Sequence, residues 1–172
     1  MELGDYVRTI QDFPKKGIGF KDITPMLSDP GAFRASIDAM CDLFMDAQVD
    51  TIAAFDARGF IYGSAMAYRQ NVPLVPIRKA GKLPYETIGQ DYGLEYGSDC
   101  VEMHIDAVKE GDSVLLIDDL LATGGTMRAG CSLVERLGGT VAGCGFLVEL
   151  DGIGGRDALA GYDVRSVLRY EG

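Results

Sequence analysis

Apolar runs and helical stripes alternate along most of this chain. Continuous apolar runs, typical of strands buried on both faces of a parallel sheet, lie at residues 51–55, 72–77, 114–117 and 140–148, and a last strand is expected at 164–168. Elsewhere apolar residues recur every three or four positions and predict amphipathic helices; one such stripe is Phe33, Ile37, Met40 and Phe44. The pattern predicts an α/β fold with a five-stranded, mostly parallel sheet flanked by helices.

Two segments depart from this pattern. Residues 8–27 contain two prolines and two glycines, which argue against regular structure, yet their apolar residues predict a small hood packed on the sheet. Residues 80–99 contain four glycines, one proline and three tyrosines with no steady period. A long irregular stretch inside a compact domain is often a lid, so we expect a flexible loop there, with a strand returning at 100–105.

Composition narrows the class of protein. A chain of 172 residues fits one domain, and no apolar run approaches the ~20 residues that span a bilayer. The formal net charge of -10 argues against nucleic acid or an anionic membrane as a partner, because both attract basic surfaces. The four cysteines show no C-x-x-C spacing and are expected to be buried thiols. We therefore expect a soluble, cytoplasmic protein.

The strongest candidate for chemistry is V-L-L-I-D-D-L-L-A-T-G-G-T, residues 114–126. We expect the strand to end on Asp118 and Asp119 and to lead through a small-residue turn into a helix. The glycines, the threonine hydroxyls and the free N–H groups of a helix start predict a phosphate cradle. Two carboxylates would repel a phosphate unless they face another part of the ligand. The vicinal hydroxyls of a sugar phosphate satisfy both halves of the motif.

Cationic residues follow two other predicted strands. Arg58 and Gly59 come directly after the strand at 51–55, in D-A-R-G-F, and Arg78, Lys79 and Lys82 follow the strand at 72–77. The carboxyl ends of parallel strands meet at one edge of a sheet, where ligands of such folds bind. These cations are therefore expected to offset the acidic surplus near an anionic ligand.

The run at 114–126 resembles the phosphoribosyl pyrophosphate (PRPP) motif of the type I phosphoribosyltransferase family, and its D-D-L-L-A-T-G-G-T variant is similar to that of the members that use adenine. F-K-D at 20–22, G-K-L-P at 81–84, L-E-Y-G at 94–97 and G-G-R-D-A-L-A-G-Y-D-V at 154–164 extend the resemblance over residues 8–170. It implies a single domain over residues 1–172, a hood, a flexible catalytic loop and a homodimer. It also implies transfer of the phosphoribosyl group from PRPP to adenine, giving AMP and pyrophosphate, with Mg²⁺ bound mainly through PRPP.

The resemblance also implies roles for individual residues. Asp118 and Asp119 would hold the ribose and stabilise its developing positive charge, and Glu95 would exchange a proton with N7 of the purine. The 5′-phosphate would bind Ala122, Thr123, Gly124, Gly125 and Thr126. Pyrophosphate would bind Arg58, Gly59, Arg78, Lys79 and Lys82. Adenine would lie against Gly19, Phe20 and Lys21 of the hood and against Leu120.

Several alternatives stay open at this point. The phosphate and acidic motifs do not distinguish adenine from another base such as xanthine or hypoxanthine. A regulator that senses PRPP without catalysis, or a metal-dependent receiver or hydrolase built on the acidic pair, would share part of the motif. Phe20 is also explained as ordinary core, and Glu95 as a solvated surface charge.

Overall fold

The computed structural model describes residues 1–93 and 98–172. The strands in this part of the chain are β1 (Arg8–Gln11), β2 (Gly19–Asp22), β3 (Thr51–Phe55), β4 (Leu74–Lys79), β5 (Thr87–Gly93), β6 (Ser98–His104), β7 (Ser113–Leu121), β8 (Thr140–Asp151) and β9 (Val164–Glu171). The helices are a short 3-10 turn (Leu3–Tyr6), α1 (Thr24–Ser28), α2 (Pro30–Asp42), α3 (Arg58–Gln70), α4 (Gly125–Arg136) and α5 (Gly155–Ala158).

A seven-stranded sheet in the order β5-β6-β4-β3-β7-β8-β9 forms the centre of the described structure. Strands β4, β3, β7, β8 and β9 are parallel, which confirms the predicted five-stranded core. Strands β5 and β6 add an antiparallel hairpin at the β4 edge. The predicted α/β class is confirmed, and the sheet is wider than predicted.

The central strand β7 is buried on both faces. Leu116 belongs to the apolar cluster on the α4 side, and Leu115 and Ile117 belong to the cluster that includes α2 and α3. The prediction that the strand ends at the acidic pair is wrong. Pairing with β8 continues through Leu121, because the parallel neighbour extends to Asp151 and supplies hydrogen-bonding partners beyond the acids.

Both segments predicted to be irregular contain hairpins. Strands β1 and β2 pair from Arg8↔Asp22 to Gln11↔Gly19, so Pro14 and Gly17 lie in the turn, Gly19 begins β2 and Pro25 lies in α1. In the second segment, β5 pairs with β6 along all seven of its residues. The prediction of irregular backbone is therefore wrong for residues 8–11, 19–22, 87–93 and 98–99, and also for residues 24–27, which lie in α1.

Two helices have the local features that position them. The Asp29 side chain caps α2 by accepting a hydrogen bond from the Ala32 N–H at 2.8 Å, with Pro30 in the first turn. Gly63 lets α3 lie close to the sheet, because a Cβ at this position would approach the Ala54 Cβ to 2.4 Å. In the described part of the chain, no helix is long and apolar enough to cross a membrane.

Candidate active site

The turn after β7 and the first turn of α4 form a small cleft of about 90 Å³, which we call the phosphate cradle. Gly124 precedes α4 with φ +83°, in the left-handed region that glycine adopts readily. The first N–H groups of a helix have no partner within it, so those at the start of α4 are available to an anion. The structure thus brings together the residues predicted to hold a phosphate: Ala122, Thr123, Gly124, Gly125 and Thr126.

The acidic pair adjoins the cradle. Asp118 and Leu120 line the same cleft. Asp119 is buried, with its Oδ2 2.7 Å from the Nε of Arg58, and its backbone N–H donates to the Oδ1 of Asp118 at 2.9 Å. Burial, together with the charge of Asp119, raises the pKa of Asp118 well above its usual value. Burial also raises the pKa of Asp119, although Arg58 opposes this shift.

Arg58 connects the acidic pair to the hood. It is the first residue of α3, and its guanidinium carbon lies 5.2 Å from the centre of the Phe20 ring while its Nε contacts Asp119. Gly59 allows this approach, because a Cβ there would lie 2.8 Å from the Oδ1 of Asp118. The motif after β3 therefore packs directly on the acidic pair, as the meeting of strand ends predicts.

The predicted base-binding residues do not all face the same way. Phe20 is half-buried, with the Phe13 ring set edge-on at 5.3 Å, and it adjoins Arg58. The Lys21 ammonium instead donates to Thr9 Oγ1 at 3.0 Å and lies 4.7 Å from the Tyr170 ring centre. Gly19 pairs with Gln11 in the hood hairpin. The described structure thus brings Phe20 to the site and engages the Lys21 side chain elsewhere.

Two of the predicted cations lie in β4 itself, because β4 extends to Lys79 and does not end at residue 77 as predicted, and both already have acidic partners. The Nε of Arg78 lies 2.8 Å from Asp56 Oδ2, and its Nη1 donates to the carbonyl oxygen of the exposed Lys82 at 3.3 Å. Sequence reasoning named Arg78 as a free cation and gave Asp56 no role, although the carboxylate stands in the same D-A-R-G-F motif. The sequence offered one signal for this pair: Asp56 and Arg78 come at the carboxyl ends of neighbouring parallel strands, where opposite charges can meet.

Lys79 is held by the hairpin. Its ammonium forms an ion pair with Asp99 and donates to the hydroxyl oxygen of Tyr92 at 2.6 Å. The Tyr92 ring lies near the cradle, since a Cβ on Gly125 would be 3.6 Å from its Cδ2. Sequence reasoning missed both partners because they belong to the segment predicted to be irregular. Glu95 lies outside the described residues.

Within residues 1–93 and 98–172, no group of three or more histidine, cysteine, aspartate or glutamate side chains is arranged to hold an ion. The carboxylates at the site are instead engaged with Arg58, Arg78 and Lys79.

Comparison with known proteins identifies the class. A family model described as a phosphoribosyl transferase domain matches residues 24–168, most of the chain. The chain therefore belongs to the phosphoribosyltransferase family.

Individual relatives narrow this assignment. The chain is 52% identical to the adenine phosphoribosyltransferase of Kosmotoga olearia, covering 99% of this chain and 100% of that one. It superposes with a TM-score of 0.95 on the crystal structure of adenine phosphoribosyltransferase from Thermoanaerobacter pseudethanolicus, at 51% identity over 98% of both chains. The adenine phosphoribosyltransferase of Saccharomyces cerevisiae was crystallised with adenine and an imino-altritol bisphosphate. The chain superposes on it with a TM-score of 0.90, at 36% identity over 95% of both chains. Within the family, the chain belongs with the adenine phosphoribosyltransferases, which confirms the resemblance seen in the sequence.

Proposed function

We propose that this chain transfers the 5-phosphoribosyl group of PRPP to adenine, yielding AMP and pyrophosphate in purine salvage, through the residue roles described below. The observation that carries these roles is the junction of the acidic pair with the phosphate cradle at the end of β7. A ligand with only a phosphate group would need only the cradle, and a ligand with only a sugar would need only the two aspartates. PRPP presents a 5′-phosphate and vicinal hydroxyls at once.

The cradle binds the 5′-phosphate. Backbone N–H groups at the start of α4 and the hydroxyls of Thr123 and Thr126 donate to its oxygens. The site is fixed by backbone, so little ordering is required when PRPP binds. This explains why a strongly acidic chain can hold an anionic substrate.

Asp118 and Asp119 bind the ribose hydroxyls and stabilise the positive charge that develops as pyrophosphate leaves C1′. Burial opposes ionisation of both carboxyl groups, as their raised pKa values indicate. A developing cation beside them favours the charged form. The pair is thus matched to the positive charge of the transition state.

Arg58 changes partner during the reaction. Its Nε contacts Asp119, and its guanidinium lies beside the Phe20 ring. Pyrophosphate offers a stronger anionic partner, and its arrival would free Asp119 for the ribose and leave the Phe20 ring to adenine. Gly59 supplies close backbone approach, and Arg78, Lys79 and Lys82 complete the pyrophosphate site.

Adenine binds between the hood and Leu120. Phe20 provides the aromatic face, while Gly19 and Lys21 contribute backbone contacts. Glu95 exchanges the proton at N7, a role that rests on the L-E-Y-G match because this residue lies outside the described part of the chain. General acid–base transfer of this kind typically contributes about 10²–10⁴-fold to rate.

Mg²⁺ would be held mainly through PRPP. This ion retains several waters and commonly binds through one or two carboxylates and substrate phosphates. Asp118 and Asp119 are the carboxylates beside the cradle, and they suit an oxygen-ligated ion. When bound, Mg²⁺ would supply neutralisation of the pyrophosphate charge.

We further propose a cytoplasmic homodimer. All four cysteines are described and unbridged, even though the sulfurs of Cys131 and Cys144 lie 3.5 Å apart, which suits a reducing compartment. Tyr68 on α3 and Leu74 on β4 are exposed hydrophobic side chains that contact with a second copy would cover. Light scattering after size exclusion tests the dimer, with a mass near twice 18.5 kDa expected.

One assay tests the proposed reaction. The chain is mixed with PRPP, Mg²⁺ and each purine or pyrimidine base, and nucleotide formation is followed. AMP from adenine alone is expected. Nucleotide from hypoxanthine or xanthine in preference to adenine would contradict the base assignment, and PRPP binding without turnover would contradict the catalytic roles.

A further inference from the structure

Helix α5 supports the phosphate cradle from outside the ligand site. A Cβ on Gly155 would lie 2.4 Å from the carbonyl oxygen of Ala122, and a Cβ on Gly124 would lie 2.7 Å from the carbonyl oxygen of Gly155. Both contacts involve backbone, which cannot rotate away as a side chain can. The cradle turn and the start of α5 therefore interlock at two glycines.

A buried carboxylate anchors α5. Glu149, 2% exposed, accepts from the Nε of Arg156 at 2.6 Å and from its Nη2 at 2.9 Å, and Arg156 Nη1 donates to the carbonyl oxygen of Val164 at 2.9 Å. The Ser166 hydroxyl donates to Glu149 at 2.5 Å. Burial would raise the pKa of Glu149, but hydrogen bonds from Arg156 and Ser166 outweigh it, so the pKa is lowered.

The anchor lies beside the cradle strand. Glu149 pairs with Leu121 across β7 and β8, one residue before the cradle begins. At the other end of α5, Arg128 of α4 donates to the carbonyl oxygen of Ala158 at 2.7 Å. Helix α5 is thus fixed to β8 and β9 on one side and to α4 on the other, with the cradle turn resting on it.

We propose that Gly155 and the Glu149–Arg156 ion pair are positioning residues for PRPP: they hold the cradle in the shape that receives the 5′-phosphate, without contacting the ligand. This inference rests on the proposed function of the cradle. Misplacement of a binding group by about 1 Å can cost about 10²-fold in activity. The support should therefore affect the phosphate end of the substrate and leave the base end unchanged.

The test uses Gly155→Ala in the full chain. We expect KM for PRPP and Kd for ribose 5-phosphate to rise about tenfold or more, while KM for adenine at saturating PRPP and Kd for pyrophosphate stay within about twofold. Gly143→Ala is the matched control, since its Cβ would also meet a neighbour at 2.4 Å, the ring of Phe44, far from the cradle. It should lower Tm without shifting KM for PRPP.

A second variant pair keeps the test decisive if Gly155→Ala fails to fold. Arg156→Lys keeps the charge but loses the two-pronged contact, and we expect KM for PRPP to rise about threefold to tenfold. Arg169→Lys is the control, because Arg169 reaches the same Glu149 at 3.5 Å from β9 and does not belong to α5. It should leave KM for PRPP unchanged.

Thr126→Val, measured alongside, separates this inference from the proposed function. If Thr126→Val raises KM for PRPP while Arg156→Lys and any folded Gly155→Ala do not, the support role is overturned and the cradle stands. If Thr126→Val itself leaves PRPP and ribose 5-phosphate binding unchanged, the cradle assignment fails. Equal shifts in the α5 variants and their controls would show a general stability effect and overturn the positioning role.

Discussion

The cradle at the end of β7 and the cationic edge formed by β4 and the β5–β6 hairpin are prepared for the same substrate in different ways. The cradle is backbone, set by the φ of Gly124 and by contact with Gly155. The cationic edge consists of side chains that already hold acidic partners, with Arg78 on Asp56 and Lys79 on Asp99. Under the proposed roles, the 5′-phosphate would meet a site already formed by backbone, whereas pyrophosphate would have to displace existing ion pairs.

The cost of displacing Lys79 from Asp99 is small. The Lys79 and Asp99 side chains are 48% and 36% exposed, and exposed ion pairs typically contribute about 0–1 kcal/mol. The Lys79–Asp99 pair would re-form when pyrophosphate departs. We therefore expect the rigid region to supply affinity and the exchangeable region to suit binding and release of the leaving group.

The largest effect is expected on kcat, from substitution of Glu95. Glu95→Ala should lower kcat about 10²–10⁴-fold, because proton transfer at N7 loses its carboxyl group, with little change in KM for PRPP. Steady-state kinetics measure both constants. Glu86→Ala, which removes an exposed carboxylate from the same segment, is the control and should be nearly silent. A raised KM with unchanged kcat would remove Glu95 from the chemistry.

A smaller effect is expected in the cradle. Gly124→Ala should raise KM for PRPP about 10–100-fold, because the new Cβ is forced against Gly155 and the turn must shift. Gly111→Ala is the control, with a similar φ of +85° and open space around its Cβ. Both should lower Tm in thermal melts. A KM shift in both variants alike would mean that backbone strain, rather than the cradle, is responsible.

A change of a few fold, in the opposite direction, is expected at the cationic edge. Asp99→Asn frees Lys79 and should lower KM for PRPP about twofold to fivefold at low salt, with the effect shrinking as salt rises. Asp38→Asn removes the same charge from an exposed pair with Arg69 and serves as the control. An unchanged or higher KM for Asp99→Asn would show that Lys79 does not contact the substrate.

The smallest effect concerns stability. Because the pKa of Asp118 is raised, the folded chain keeps a proton that the unfolded chain releases above the usual value of 3.8, so stability falls as pH rises through that window. Asp118→Asn removes the cost of ionising this buried carboxyl group. It should raise Tm at pH 7 by about 2–4 °C for each kcal/mol gained in the free energy of unfolding. Below pH 3.8 the gain should vanish. A Tm lowered by the same amount at every pH would contradict this role of Asp118 in stability.

Sequence patterns were sufficient for the features that depend on local order. The buried runs at 51–55 and 114–117 predicted central strands, and A-T-G-G-T predicted the cradle because its chemistry is backbone chemistry. The resemblance identified the family, and the comparisons confirmed it.

Features that depend on distant residues were not predictable in this way. The hood strands are four residues long, and their pairing depends on a turn rather than on apolar alternation. The partners of Arg78 and Lys79 lie 22 and 20 positions away, and charge alone does not select among many acids. Gly124 and Gly155 come into contact only when two segments distant in sequence meet in the fold. A glycine in a glycine-rich stretch does not indicate which residue it will contact.

A crystal structure of the chain with AMP and pyrophosphate tests the central claim most directly. The account predicts the phosphate enclosed by residues 122–126 and the ribose hydroxyls on Asp118 and Asp119, with Arg58 displaced from Asp119. A nucleotide bound elsewhere, or acids that still face Arg58 while the ribose lies apart from them, would contradict it.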